Sequence, residues 1–191
     1  MKGKTMTSRK YLNPGEIEAL LSATLKMPHP ERNHCLILMG YLHGFRASEL
    51  LGIKLSDIDL QAGNLNIRRL KNGLSTQHPL QKQEVQSIRR WMKQRNKWAE
   101  EGCEWLFISR NSASLSRQQF WNIVKKAGQL SSLTVQTHPH MLRHSCGYAL
   151  AGKGADTRLI QDYLGHRNIH HTVRYTAGSA ERFRGIWHVK R

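Results

Sequence analysis

Acidic residues are the scarce class in this chain. Thirteen Asp and Glu face 30 Lys and Arg, giving a formal net charge of +17. So basic a surface points to a polyanionic partner, because neutralising phosphates releases counterions and drives binding. An anionic membrane surface is the competing reading. Long apolar runs are missing too: no stretch of about 18 apolar residues occurs, which excludes a membrane-spanning helix. The N-terminal MKGKTMTSRKYLNPGE is basic but lacks the apolar segment of a signal peptide. Cysteines are few, and Cys35, Cys103 and Cys146 are widely spaced with no Cys-x-x-Cys pair. They read as reduced, mostly buried thiols of a cytoplasmic protein. Neither a P-loop nor a dinucleotide fingerprint is present, so ATP and NAD are not indicated and no cofactor is expected. Repeats of 20–50 residues and low-complexity tracts are also lacking.

What remains is a single domain's worth of helix signals with one change of period. Residues 1–10 read as a basic flexible arm. Asn13-Pro14-Gly15-Glu16 supplies an N-cap, a proline in the first turn and an acid at the third position, opening a helix over IEALLSATL. NHCLILMGYLHGF is apolar nearly all round and predicts a central core helix, with Arg46 at the head of the short piece ASELLGI. DIDLQAGNLNIRRLKNGLSTQHPL then alternates in short runs broken by Ala-Gly and Asn-Gly. Three short antiparallel strands are expected there, with Lys71 at the second hairpin tip. A long helix follows over QEVQSIRRWMKQRNKWAEE, and WLFIS is a short buried strand or extended run. Ser116 and Gln119 form a capping box for a helix ending near Gly128, a C-cap candidate. The last third, from PHMLRHSCGYALAGKG to SAERFRGIW, reads as wholly helical. The fold class is α+β, mainly helical, with a small three-stranded antiparallel sheet.

Residues 161–176, QDYLGHRNIHHTVRYT, crowd three histidines and two arginines together with two tyrosines, Tyr163 and Tyr175. A metal site is one reading, since His140 and His144 are an i, i+4 pair. HEXXH is absent, however, no carboxylate lies nearby in sequence, and Arg143 would repel a second cation. No metal is expected. A plain DNA-contacting face is another reading, and a lone tyrosine is more often a packing residue. Metal-free strand cleavage gives the combination a third meaning. A nucleophile attacking a phosphodiester builds charge on its non-bridging oxygens, which preorganised guanidinium forks meet well. The leaving 5′-oxygen needs a proton, and a phenol with a pKa near 10 needs help to lose one. A covalent phosphotyrosine would conserve the bond energy for resealing without ATP.

These residues resemble the tyrosine site-specific recombinases, the phage-integrase family. Its signature of Arg, Lys, His-x-x-Arg, His or Trp, and Tyr falls on six positions in order. They are Arg46 in HGFRASELLGIKLSDIDL, Lys71 in RRLKNGLSTQHPL, His140 and Arg143 in HPHMLRHSCGYAL, His166 in YLGHRN, and Tyr175 in VRYTA. The resemblance implies that Arg46 and Arg143 clamp the scissile phosphate and that His166 hydrogen-bonds it. It also implies that Lys71 is the general acid, that His140 assists proton transfer, and that Tyr175 forms the 3′-phosphotyrosyl link. His138 and His144 fall outside the six and read as supporting or DNA-contacting residues; His170, His171 and Arg174 are not carried over either.

The match runs from about Tyr11 to Trp187 and is strongest to the small fimbrial phase-switch invertases, through LSRQQF, HPHMLRHSCGYAL and DTRLIQDYLGHRNIHHTVRYTA. That subgroup implies inversion of a promoter-bearing segment between inverted repeats. It also implies double-stranded DNA as partner, a homotetramer on two synapsed sites, accessory DNA-bending proteins, no membrane, and a cytoplasmic, nucleoid-associated location. Residues 11–191 are expected to form one catalytic domain without the separate N-terminal clamping domain of the wider family. Phe183, Ile186 and Trp187 on a helix over 179–187 could pack in trans or on their own core. Two rival readings are a non-cleaving DNA-binding transcriptional regulator with the same fold and a type IB topoisomerase-like relaxing enzyme.

Overall fold

The computed structural model describes residues 9–68 and 75–183. Lys71, the basic arm before residue 9, Ile186 and Trp187 lie outside the described residues. Eight helices, two 3-10 turns and one sheet are described. The helices are α1 (Pro14–Thr24), α2 (Pro30–Leu42), α3 (Ala47–Leu51), α4 (Lys82–Arg95), α5 (Arg117–Leu130), α6 (Pro139–Gly152), α7 (Thr157–Leu164) and α8 (His170–Thr176). Strands β1 (Ile58–Asp59), β2 (Asn64–Ile67) and β3 (Thr76–Pro79) pair antiparallel in that order. The mainly helical α+β class with a small three-stranded sheet is therefore the observed one. Among the described residues, no helix is long and apolar enough to cross a membrane.

Helix α2 is the hub. It packs on α1, α4 and α6, and Cys35, Leu36, Ile37, Leu38 and Met39 are all buried along it. A helix apolar on every side is stable only when neighbours surround it, and this one is surrounded. Its first turn begins at Pro30, three residues before the expected start. Proline at the first helical position needs no N–H partner there.

Local signals fix several other ends. Asn13 accepts from the Glu16 amide at 2.9 Å while Glu16 Oε2 accepts from the Asn13 amide at 2.8 Å, the reciprocal cap expected for α1. Ser116 and Gln119 do the same for α5. Gly128 is not a C-cap: α5 runs on to Leu130. Its lack of a side chain serves packing instead, because a Cβ there would collide with the buried Thr137 side chain. WLFIS is an extended run that makes isolated bridges, Lys54 to Trp105 and Ile108 to Ser114, and accepts from Trp91 and Arg95 through the Leu106 and Trp105 carbonyls. The sheet keeps strict alternation, with Leu65 and Ile67 inward and Leu65 opposite the buried His78.

Two cores result. The larger spans α1–α6 and the sheet. A smaller one, made of Cys146, Ala151, Ile160, Leu164 and Tyr175, joins α6, α7 and α8. The phenol singled out from sequence is thus a core residue of this second cluster, and the function has to be reconciled with that burial.

Candidate active site

Arg46 sits at the N-cap of α3 in extended backbone (φ −71°, ψ 151°). Glu49, at the third position of that helix, reaches back to the Arg46 amide at 2.9 Å and to its Nη1 at 2.7 Å. The other oxygen of Glu49 lies 4.0 Å from Nη1 of Arg143. One buried carboxylate therefore stands between two guanidinium groups that are 97 positions apart in sequence (143 minus 46). Glu49 was not among the residues selected from sequence. Its signal was there, an acid three residues after the cap position of a short helix.

Arg143 is 2% exposed. Its Nη1 donates to the Gly44 carbonyl at 2.5 Å and its Nη2 to the Leu164 carbonyl at 2.8 Å. Gly44 adopts φ +57°, and a Cβ there would collide with Leu164, so only glycine lets that carbonyl approach. Arg46 differs in kind, with 42% of its side chain exposed. It opens onto a cleft of about 370 Å³ shared with Arg117, Trp121 and His140. The indole of Trp121 is stacked on His138, with ring centroids 5.3 Å apart and planes 8° from parallel.

His166, just after α7, holds the Thr172 hydroxyl of α8 at 2.8 Å through Nδ1. Its ring lies nearly parallel to that of Tyr175, 17° apart with centroids at 6.3 Å. Burial, aided by Arg143, Arg46 and Arg174, pushes His166 down to about 3. Burial also lowers His140, with Arg143, His138, Arg174 and Arg46 adding to it. The same three arginines thus act on imidazoles from α6 and from the loop after α7. Arg143 and Arg174 act on Tyr175 as well, so one set of cations links the three stretches.

The Tyr175 hydroxyl finds its partners outside the six signature positions. It meets His144 Nδ1 at 2.9 Å and Arg174 Nη2 at 3.4 Å. Burial raises its pKa above the usual 10, an effect that Arg174 and Arg143 oppose but do not overcome. Cations beside a phenol favour loss of its proton, but here desolvation outweighs them. His144, which reads from sequence as a supporting or DNA-contacting residue, and Arg174, which is not carried over as catalytic, are the hydroxyl's neighbours. Helical spacing carried the missed signal, since residues 140 and 144 share a face. Their rings meet edge-on at 4.5 Å. Among the described residues no group of three His, Cys, Asp or Glu side chains could hold a metal ion.

Histidines kept neutral by their surroundings have a consequence for stability. His144 and His166 are each held near 3 in the folded chain, against about 6.5 when unfolded. Between those values the unfolded chain binds the extra protons, so stability rises with pH. The fold is expected to lose stability steadily as pH falls from about 6.5 toward 3. The check is the chemical-denaturation midpoint against pH, where His166→Asn flattens the slope. A slope unchanged by that substitution would contradict the assignment.

Comparison with known proteins now decides the lineage. The sequence pattern of the Phage integrase family matches residues 10–182. The chain belongs to the phage integrase family. Members similar to it include "Type 1 fimbriae regulatory protein FimB" of Escherichia coli (strain K12), 54% identical over 179 residues that cover 94% of this chain and 90% of that protein. Among solved structures of this family, the XerA recombinase superposes with a TM-score of 0.80 at 25% identity, covering 95% of this chain and 65% of that one. The XerH site-specific recombinase, in a post-cleavage complex with palindromic difH substrate, gives 0.78 at 25% identity, covering 93% and 53%. The chain spans less than two thirds of both structural relatives. As a phage integrase family member it has a tyrosine recombinase fold, and five of the six signature positions, all but Lys71, fall among the described residues.

Proposed function

We propose that this protein is a site-specific DNA recombinase that breaks and rejoins strands through a 3′-phosphotyrosyl link at Tyr175. It inverts a promoter-bearing segment between inverted repeats and so switches fimbrial expression, a reading supported by the identity to FimB. The observation that carries it is the shared electrostatic field of residues drawn from three separate stretches: Arg46 and Arg143 act on both His140 and His166, and Arg143 acts on Tyr175 as well. Double-stranded DNA is the substrate, as the net charge of +17 favours. XerH is bound to its DNA site in one such structure.

Each residue has a role in this reading. Arg143, fixed by two carbonyls and Glu49, presents a preorganised cation that costs no reorganisation during reaction. Arg46, exposed on the cleft, completes the clamp on the scissile phosphate. His166 is neutral and donates a hydrogen bond to a phosphate oxygen, while Thr172 keeps its ring oriented. His140 assists proton transfer at the phosphotyrosine step, and Lys71 supplies the proton to the leaving 5′-oxygen. Four protomers act on two synapsed sites, with accessory DNA-bending proteins, in the cytoplasm at the nucleoid. Residues 11–191 form one catalytic domain and the basic arm precedes it.

The function is tested by orientation. In cells carrying the repeat-bounded segment, the wild-type chain is expected to yield both orientations of the promoter, read by amplification across the junctions. A Tyr175→Phe chain at equal abundance is expected to leave the starting orientation alone. Switching of fimbrial expression with no DNA inversion would favour the non-cleaving regulator.

A further inference from the structure

The phenol of Tyr175 lies in a slot built mostly by α6. His144 and Gly147 lie three residues apart on that helix and face it together. A Cβ at Gly147 would come within 2.7 Å of the ring, so the slot exists because that position has no side chain. Tyr148 stands edge-on with centroids 5.1 Å away. Tyr175 is 2% exposed and His144 6%. A guanidinium can only donate, so the oxygen accepts from Arg174 at 3.4 Å. With the imidazole hydrogen on Nε2, the hydroxyl's own hydrogen is donated to Nδ1 of His144, 2.9 Å away. His140 meets the His144 ring edge-on at 4.5 Å and stands one ring further from the phenol.

We propose that His144 is the direct acceptor for the Tyr175 hydroxyl hydrogen, with His140 assisting through it: Nδ1 of His144 orients the phenol in the free protein and takes the proton as the oxygen attacks phosphorus. This inference rests on Tyr175 being the nucleophile. The O–H bond breaks toward Nδ1 while the tyrosine O–P bond forms and the P–O5′ bond breaks. The leaving oxygen takes its proton from the separate acid assigned to Lys71. On rejoining, the 5′-hydroxyl attacks phosphorus, and the departing tyrosine oxygen recovers the proton from His144.

Surrounding charge sets when the transfer happens. Burial, then His140, Arg174 and Arg143, depress His144 to about 3, while burial raises Tyr175 above its usual 10. Transfer in the DNA-free site is therefore unfavourable, and the free enzyme keeps its phenol protonated. An incoming phosphate places negative charge beside the guanidinium groups and weakens the field that depresses His144. Proton acceptance is thus coupled to occupation of the clamp. The protein does not form a free phenolate without DNA.

The test is a series at position 144 on a nicked duplex carrying one inverted repeat, scored as covalent adduct per unit time. Asn places its Oδ1 where the imidazole places Nδ1, so it orients the hydroxyl without taking the proton. His144→Phe keeps a ring and loses the acceptor. Phe is expected to slow adduct formation at least a hundredfold, with DNA affinity within threefold of wild type. Asn is expected to recover about tenfold of that loss, and Gln none. The acid limb of the wild-type pH–rate profile is expected to vanish in Asn. If Phe fails to fold, the contrast of Asn with Gln carries the test. A Phe variant within threefold of the wild-type rate, or Asn and Gln equally slow with the wild-type pH profile, would overturn the proposal. An adduct persisting in Tyr175→Phe would instead reject the nucleophile assignment on which it rests.

Discussion

Tyr175→Phe is expected to bind its DNA repeat within a few-fold of wild type and to form no covalent adduct. Phe keeps the ring that fills the small core of Cys146, Ile160 and Leu164, so the packing of α6, α7 and α8 survives. The hydroxyl alone is lost, leaving His144 Nδ1 and Arg174 Nη2 without that partner. A buried acceptor stripped of its donor costs about 1–3 kcal/mol. A modest fall in melting temperature is therefore expected alongside total loss of chemistry. Removing a nucleophile that works as one unit with its partners costs at least about four powers of ten in rate. The measurement is adduct formation on a nicked substrate together with a binding isotherm on the same DNA. Detectable adduct in the variant would remove Tyr175 from the mechanism.

The two arginines are expected to separate in a way their burial dictates. Arg46→Ala should cut the cleavage rate by about 10²–10³, the cost of removing one preorganised donor, with little change in thermal stability. Its side chain is 42% exposed, and Glu49 still has Arg143 nearby. Arg143→Ala should lose at least as much rate and, with Glu49 still paired to Arg46, destabilise the fold by about 1–3 kcal/mol for each buried acceptor left without its donor. It would also strip the Gly44 and Leu164 carbonyls of the donors that join α2, α6 and α7. Arg143→Lys separates the two effects. It keeps the charge and much of the stability but cannot reach both carbonyls as a planar fork does, so the rate stays low. Melting curves and single-turnover cleavage check the set. A stable, fully active Arg143→Lys would show that geometry at this position matters less than charge.

Sequence patterns reveal the helices here where the signal is local and chemical. The reciprocal cap of Asn13 with Glu16, and that of Ser116 with Gln119, are written in four residues each and appear as expected. The apolar run of α2 identifies the core helix because no other environment accepts it. Gly128 shows the limit: the residue is a helix stop by composition, and only Thr137, nine residues on, shows why it lies inside α5. The same limit applies at the site. Arg46, His140, Arg143, His166 and Tyr175 are legible through motif and order, but no motif says which imidazole meets the phenol. That depends on the rotation of α6 relative to α8, and so on Gly147 and the packing of Tyr148. Glu49 is a similar case. It reads as an ordinary capping acid until Arg143 arrives from another part of the chain. The direction of the Tyr175 shift was equally hidden, because burial is a tertiary property and it outweighs the nearby cations.

Tyr175 is packed in the small core and its hydroxyl meets His144. On the proposed mechanism, DNA must alter the electrostatics around that hydroxyl before its oxygen can attack, so phosphate binding by Arg46 and Arg143 precedes reaction. Premature chemistry is suppressed by the desolvation that raises the phenol and lowers the imidazoles.

The most direct measurement is chemical mapping of the trapped intermediate. Wild-type protein is stalled on a nicked repeat, digested with protease and nuclease, and sequenced by tandem mass spectrometry. The predicted result is a nucleotide 3′-phosphate carried on Tyr175, in the peptide spanning α8. A nucleotide on Tyr163, on any other residue, or no covalent species under conditions that invert DNA, would contradict the account.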